Sequence, residues 1–174
     1  MPTLIEEART YIGKESAVEV ACNPVEPSEA RRYAQAIMDD DPIYRGDEDS
    51  LKRYGGPVAP LFFPTHMFRL ALGEKDPLDQ SKANPDFDGS SLSATQGLPE
   101  IAPIKHLAIL NGGSETEFYR FARHGEKVRL KSRYANIVEK QSSSGSMIIV
   151  TIESDYIGDN DSVLCRVRRT YLRR

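Results

Sequence analysis

The sequence predicts an α+β fold in which a curved antiparallel sheet wraps one long, buried helix. Three observations carry that expectation. The stretch LFFPTHMFRLAL, residues 61–72, is apolar nearly all round, with only His66 and Arg69 strongly polar, and a helix of that kind needs cover on most sides. From residue 104 onward, IKHLAIL, ETEFYRFA, KVRLKSRYANIVEK, SMIIVTIESDYI and SVLCRVRRTYL are strand-like, several with period-2 alternation. HGE, QSSSG and GDND supply the turns between the later strands, so the strands run antiparallel.

The elements follow in order. Thr3 and Glu6 have capping-box spacing, and Leu4, Ala8 and Tyr11 can share a face, which predicts a short first helix ended by Gly13. Residues 16–22, SAVEVAC, alternate like a strand. A second helix starts near Pro27 and places Ala30, Tyr33, Ala34 and Ile37 on one face. It runs into Asp39, Asp40 and Asp41. Carboxylates at a helix C-terminus oppose the macrodipole, so this cluster needs another reason. A charged loop follows, and Gly55, Gly56 and Pro57 mark a turn before the apolar helix, which can start after Pro60 or Pro64 and stop at Gly73. Residues 73–103 are rich in Pro, Gly, Ser and Asp. They read as an irregular excursion of about 30 residues, either a lid or partner-binding loop or a surface insertion.

The chain has 174 residues, expected as a single domain over 1–174, and 39% hydrophobic with 28% charged residues makes it soluble and globular. No apolar run approaches the roughly 20 residues a membrane helix needs. The N-terminus has no basic start and no apolar segment, so it is no secretory signal. Cys22 and Cys165 form no CxxC and no metal-type cluster, and a reducing cytoplasm with no metal and no cofactor is the expectation. The net charge of −3 argues against nucleic acid as a partner. The basic C-terminus, CRVRRTYLRR, reads first as the solvent face of an edge strand and second as a patch for a phosphate-bearing ligand.

Three stretches resemble one family. M-D-D-D-P-I-Y (38–44) is similar to the hydratase motif G-D-x-N-P-[ILV]-H of the MaoC-like, (R)-specific enoyl-thioester hydratases. YGGPVAPLFFPTHMF (54–68) resembles that family's aromatic-Gly-Gly turn and central helix, and LNGGSETEFYRFARHGEKVRL (110–130) its Arg-x-x-x-Gly-[DE] hairpin. The resemblance runs from the second helix to the C-terminus and is nearest to the N-terminal-half, FAS1-like dehydratase branch, whose members pair with a second hot-dog domain. It implies the hot-dog fold and an acyl-CoA or acyl-ACP thioester as substrate, with no separate cofactor. The partner it implies is a second hot-dog subunit, as a homodimer or a heterodimer.

Adding water to an enoyl thioester needs a group that orients and deprotonates the water, a proton donor, and donors for the developing enolate oxygen. The resemblance places Asp39 at the catalytic carboxylate, Asp41 at the asparagine, Pro42 in the stiffening position and Tyr44 where the histidine belongs. A phenol near 10 is a poor base at neutral pH, whereas an imidazole near 6.5 is well placed. The motif is therefore degenerate, with Asp39 and Tyr44 as its catalytic positions. His66, His106 and His124 are the substitutes on offer. By the same resemblance Asp41, Pro42, Gly56, Ala59, Leu61, Phe62 and His66 surround the substrate. Arg120, Arg123, Arg129, Arg166 and Arg168 are candidates for carrier phosphates. Two functions follow. One is the accessory, channel-forming subunit of an enoyl-thioester hydratase or 3-hydroxyacyl-thioester dehydratase. The alternative is a non-catalytic module that binds acyl-CoA or scaffolds a complex. A hot-dog thioesterase is disfavoured because residues 61–72 hold no Asp or Glu.

Overall fold

The computed structural model describes residues 2–87, 97–142 and 145–174. Its α+β architecture begins with α1 (Leu4–Arg9), where the expected capping box forms: Thr3 N–H donates to Glu6 Oε2 at 2.7 Å and Thr3 Oγ1 accepts from Glu6 N–H. The helix stops earlier than expected, at Thr10, and its buried Ala8 faces the core. Gly13, at φ +83, then donates to the Tyr134 carbonyl and ties this entry to the sheet.

Among the described residues five strands form one antiparallel sheet, ordered β1 (Glu19–Val20), β3 (Arg129–Ser142), β4 (Gly145–Ile157), β5 (Val163–Arg173), β2 (Ile109–Phe118). β1 is shorter than its alternation suggested. The expected strands 104–110 and 115–122 merge into β2, after a tight turn at Ala102–Ile104. The turns at 124–126 and 158–161 fall where the sequence put them, and of the 141–145 turn residues 143 and 144 lie outside the described residues. Register shifts between Tyr134 and Asn136, and between Asn111 and Ser114, bend the long strands, because a bulge adds local twist.

Strand alternation fills the inner face. Ile148, Val150, Ile152 and Tyr156 of β4 are buried on one side, and Glu153 and Asp155 lie on the other. The core has two clusters. One gathers Val25, Ala30, Phe63, Val128, Tyr156 and Val167 under α2 (Pro27–Ala36). The other gathers Ala8, Ile101, Ile104, Tyr134, Ile137 and Ile148 under α1.

The long helix expected over 61–72 is not formed. Only a 3-10 turn, Phe63–His66, appears there. Pro60 and Pro64 supply no N–H, and the bonds that form are of the short i to i+3 kind, Phe63 N–H to Pro60 O at 2.8 Å and Thr65 N–H to Phe62 O at 3.2 Å. Nor is the segment covered on most sides. Phe63 and Pro64 are buried, yet Leu70 is 51% and Leu72 107% exposed. Within the excursion 73–103, Pro77–Lys82 forms a 3-10 turn and Leu98 and Ile101 enter the core, while residues 88–96 lie outside the described residues.

Candidate functional site

The Asp-rich turn is built by the end of α2. That helix closes with Met38 at φ +57 and with Asp39 N–H donating to the Ala34 carbonyl at 2.9 Å, a left-handed cap usually occupied by glycine. The three aspartates therefore stand just past the helix, and Asp39 N–H takes up one of its last-turn carbonyls. Asp41 caps the next 3-10 turn, Pro42–Arg45, its Oδ1 accepting from Ile43 N–H at 3.0 Å. Asp39 Oδ1 accepts from Asp41 N–H at 3.3 Å, and the Asp40 carbonyl accepts from Arg45 Nη2 at 3.2 Å. Pro42 pre-sets the turn, Gly46 ends it at φ +83, and Val58 N–H reaches back to the Ile43 carbonyl.

The central contact spans this turn. Tyr44 Oη donates to Asp39 Oδ2 at 2.7 Å, and both residues are half-buried. Burial first, then the hydrogen bond and charge of Asp39, push the Tyr44 phenol well above its ordinary value. Tyr44 is thus a fixed donor to Asp39 at neutral pH and no proton acceptor. The pair lines a groove of about 500 Å³ together with Arg31, Gln35, Met38, Asp41 and Arg45.

The other sequence-selected residues lie elsewhere. Gly56 is at the turn after α3 (Glu48–Tyr54), and the wholly buried Ala59 donates its N–H to the Ala122 carbonyl at 2.9 Å. Leu61 is half-buried, and Phe62 packs edge-to-face on Phe118 at the surface, centroids 5.8 Å apart. His66 contacts the Arg69 guanidinium and lies 5.3 Å from the Tyr33 ring, lining a separate cavity of about 230 Å³ with Cys22 and Glu29. Burial, then Arg69, lower its pKa. His106 is exposed.

The arginines divide into two groups. Arg166 grips Asp155 through two bonds of 2.6 and 2.8 Å, and Arg168 bonds Glu153 at 2.9 Å and Glu117, all on the sheet face opposite the core. Arg129 pairs with Asp161 at 2.9 Å. Arg120 instead holds the buried Glu126, which also accepts from the N–H groups of Arg123 and Asp159 at 2.9 and 2.8 Å. Burial alone would raise the Glu126 carboxyl, but Arg120 and those two backbone donors outweigh it and hold it low. Arg123 and His124 share a cavity of about 590 Å³ with Arg120. Arg53 and Tyr54 line the same cavity. Tyr54 is the aromatic of the Tyr-Gly-Gly turn, but Arg53 and α3 itself were passed over, although Asp47 at the N-cap, Lys52 and Arg53 in the last turn and Gly55 past the end were helix signals.

Among the described residues no three His, Cys, Asp or Glu side chains gather where a metal ion could be held. Burial pushes the Cys165 thiol up to about 12, which makes it inert as a nucleophile at neutral pH. Among the described residues no helix is long and apolar enough to cross a membrane.

Comparison with curated protein sequences finds no match. Solved structures do match. The ChsH1-ChsH2 complex from Mycobacterium tuberculosis includes a chain of TM-score 0.67 and 19% identity, covering 97% of this chain and 89% of that one. The HadBC (3R-hydroxyacyl-ACP dehydratase) complex from the same organism matches with TM-score 0.55 and 15% identity over 93% of this chain and 98% of that one. The (R)-hydratase from A. caviae involved in PHA biosynthesis matches with TM-score 0.56 and 12% identity over 92% and 94%. The shared architecture is the hot-dog fold, with an antiparallel sheet and few helices. Residues 10–167 match the "FAS1-like, dehydratase domain region" model, and the chain belongs to that hydratase/dehydratase hot-dog family.

Proposed function

We propose that this chain is the accessory, substrate-channel-forming subunit of an enoyl-thioester hydratase or 3-hydroxyacyl-thioester dehydratase, working beside a hot-dog partner that carries an intact Asp…His pair. One observation carries the reading: the Tyr44 phenol donates to Asp39 at 2.7 Å, in the place where hydration chemistry needs a base near neutral pH. Tyr44 keeps the geometry of the motif and loses its proton chemistry. The acyl thioester of CoA or of a carrier protein is the ligand class, and the reducing cytoplasm is the compartment. Excursion 73–103 acts as a cover or partner loop on the same hot-dog domain.

A second subunit is supported by what this chain leaves bare. Among the described residues β2 is a sheet edge, paired with β5 alone. Phe62 and Phe118, 42% and 43% exposed, form a ring pair beside it, and Tyr119, Leu70 and Leu72 are also open to solvent. Apolar surface of this kind marks an interaction site. Two of the matched structures are described as complexes, ChsH1-ChsH2 and HadBC.

The test mixes the chain with a hot-dog hydratase subunit whose loop reads G-D-x-N-P-[IL]-H. Native mass measurement is expected to show a heteromer, and enoyl-CoA hydration is expected to rise at least tenfold over either chain alone. No heteromer and no gain would overturn the accessory reading. Bound acyl-CoA in the chain alone, with no catalysis in any mixture, would favour the non-catalytic module.

A further inference from the structure

We propose that the cavity between the C-terminal end of α3 and the Arg120–Gly125 turn binds a phosphate ester, the charged group of the carrier that bears the acyl thioester. This deepens the reading above and rests on it for the identity of the carrier. The cavity, about 590 Å³, is large enough to take a nucleotide-sized group. Tyr54 and Phe121, in edge-to-face contact at 5.2 Å, form an apolar wall.

Charge accounts for the ligand class. Three guanidiniums, Arg53, Arg120 and Arg123, line the cavity with two carboxylates, Glu126 and Asp159. Glu126 does not repel an anion there, because Arg120 neutralises it and the N–H groups of Arg123 and Asp159 fill its oxygens. Arg120 is thereby committed to Glu126 and to Ser162 Oγ, at 3.0 Å. Arg123 is different. Its guanidinium extends past Gly55, where a Cβ would stand 3.9 Å from Nη1, and its side chain makes no ion pair among the described residues. Among the described residues Arg53 has one ion-pair partner, the exposed Asp49 one helical turn away at 3.3 Å, and such pairs hold weakly. Two guanidiniums with spare donors suit the fork geometry of a phosphate.

His124 adds an independent observation. It lines the cavity, and its Nε2 is buried with no hydrogen-bond partner among the described residues, a rarity in a folded chain. Burial lowers the pKa of its imidazole, so the ring is neutral near pH 7 and offers one N–H and one lone pair. A phosphate ester offers an O⁻ acceptor to the tautomer that carries its N–H at Nε2.

Isothermal titration of the full chain tests this with four probes: 3′-phosphoadenosine 5′-phosphate, phosphopantetheine, inorganic phosphate, and an acyl-pantetheine without phosphate. At least one of the first three is expected to bind. Its affinity is expected to fall about tenfold in Arg123→Gln, further in the Arg53→Gln/Arg123→Gln pair, and not in the surface control Lys105→Gln. Tighter binding of the adenosine bisphosphate assigns the cavity to the nucleotide end of CoA, and tighter phosphopantetheine assigns it to a carrier-protein arm. Failure of all three phosphate probes, or equal affinity in Arg123→Gln, overturns the site whatever acyl-pantetheine does. Arg123-dependent phosphate binding with no binding of any acyl thioester upholds the site and overturns the functional reading instead.

Discussion

Two carboxylates in this molecule are held by hydrogen bonds in opposite ways. Glu126 is 5% exposed, and Arg120 with two backbone N–H groups takes up its oxygens. Asp39 is half-buried at the rim of a groove, holding one phenol and one backbone N–H, both from its own turn. A charge buried and held by three donors from two segments of the chain serves the fold, because removing its ionic partner would leave it uncompensated. A charge held locally at a groove has acceptor capacity left for water or ligand. The difference separates two roles: Glu126 fixes the scaffold, and Asp39, with spare acceptor capacity at a groove, is the carboxylate on which the proposed function rests.

Breaking the buried node is expected to cost most. Glu126→Ala removes the charge that Arg120 was built around, and unfolding in urea is expected to show a loss of about 3 kcal/mol. A loss below about 1 kcal/mol would put Glu126 in the same class as Asp39. The acid limb follows from the same node. Glu126 and Glu153 have lowered pKa values: burial would raise both, but their arginine partners outweigh it. Their contribution is present above the ordinary glutamate value of about 4.3 and is lost as pH falls through the lower folded value. Stability is therefore expected to fall with acid below about pH 4.3 more steeply in the wild type than in Glu126→Ala.

The groove turn is expected to respond more gently. Tyr44→Phe deletes one hydrogen bond and is expected to cost about 1 kcal/mol in thermal unfolding. The raised phenol works in the opposite pH direction: its contribution is complete below about pH 10 and disappears as pH rises through the higher folded value. In an ultraviolet titration, the Tyr44→Phe protein is expected to show one late-titrating tyrosine fewer, with Tyr134, pushed up to about 12 by burial, still present. The smallest change is a gain. Met38 is 91% exposed at φ +57, so Met38→Gly relieves strain and is expected to stabilise by about 0.5–1 kcal/mol.

What the sequence made legible was local. The Thr3–Glu6 box, the alternation of β3, β4 and β5, and the turns at 124–126 and 158–161 depend on neighbours a few residues apart, and each formed. Asp39 and Tyr44 were singled out together by the resemblance of residues 38–44, but the hydrogen bond between them is a finding of the structure. Nor were the ion pairs of Arg166 and Arg168 legible. Arg168 meets Glu117 across 51 residues, so a basic tail in sequence became a neutralised lattice in space. The stretch 61–72 misled because its composition asks for a buried helix while Pro60 and Pro64 withhold the bonds to make one. α3 was hidden by its charge, which is the pattern of a solvated surface helix with Glu48 and Asp49 at its start and Lys52 and Arg53 at its end.

The most direct test of the central claim is enoyl-CoA hydration by the purified chain alone, beside its Asp39→Asn variant. A phenol locked onto Asp39 predicts negligible turnover in both proteins. Full hydratase activity in the chain alone, abolished by Asp39→Asn, would contradict it.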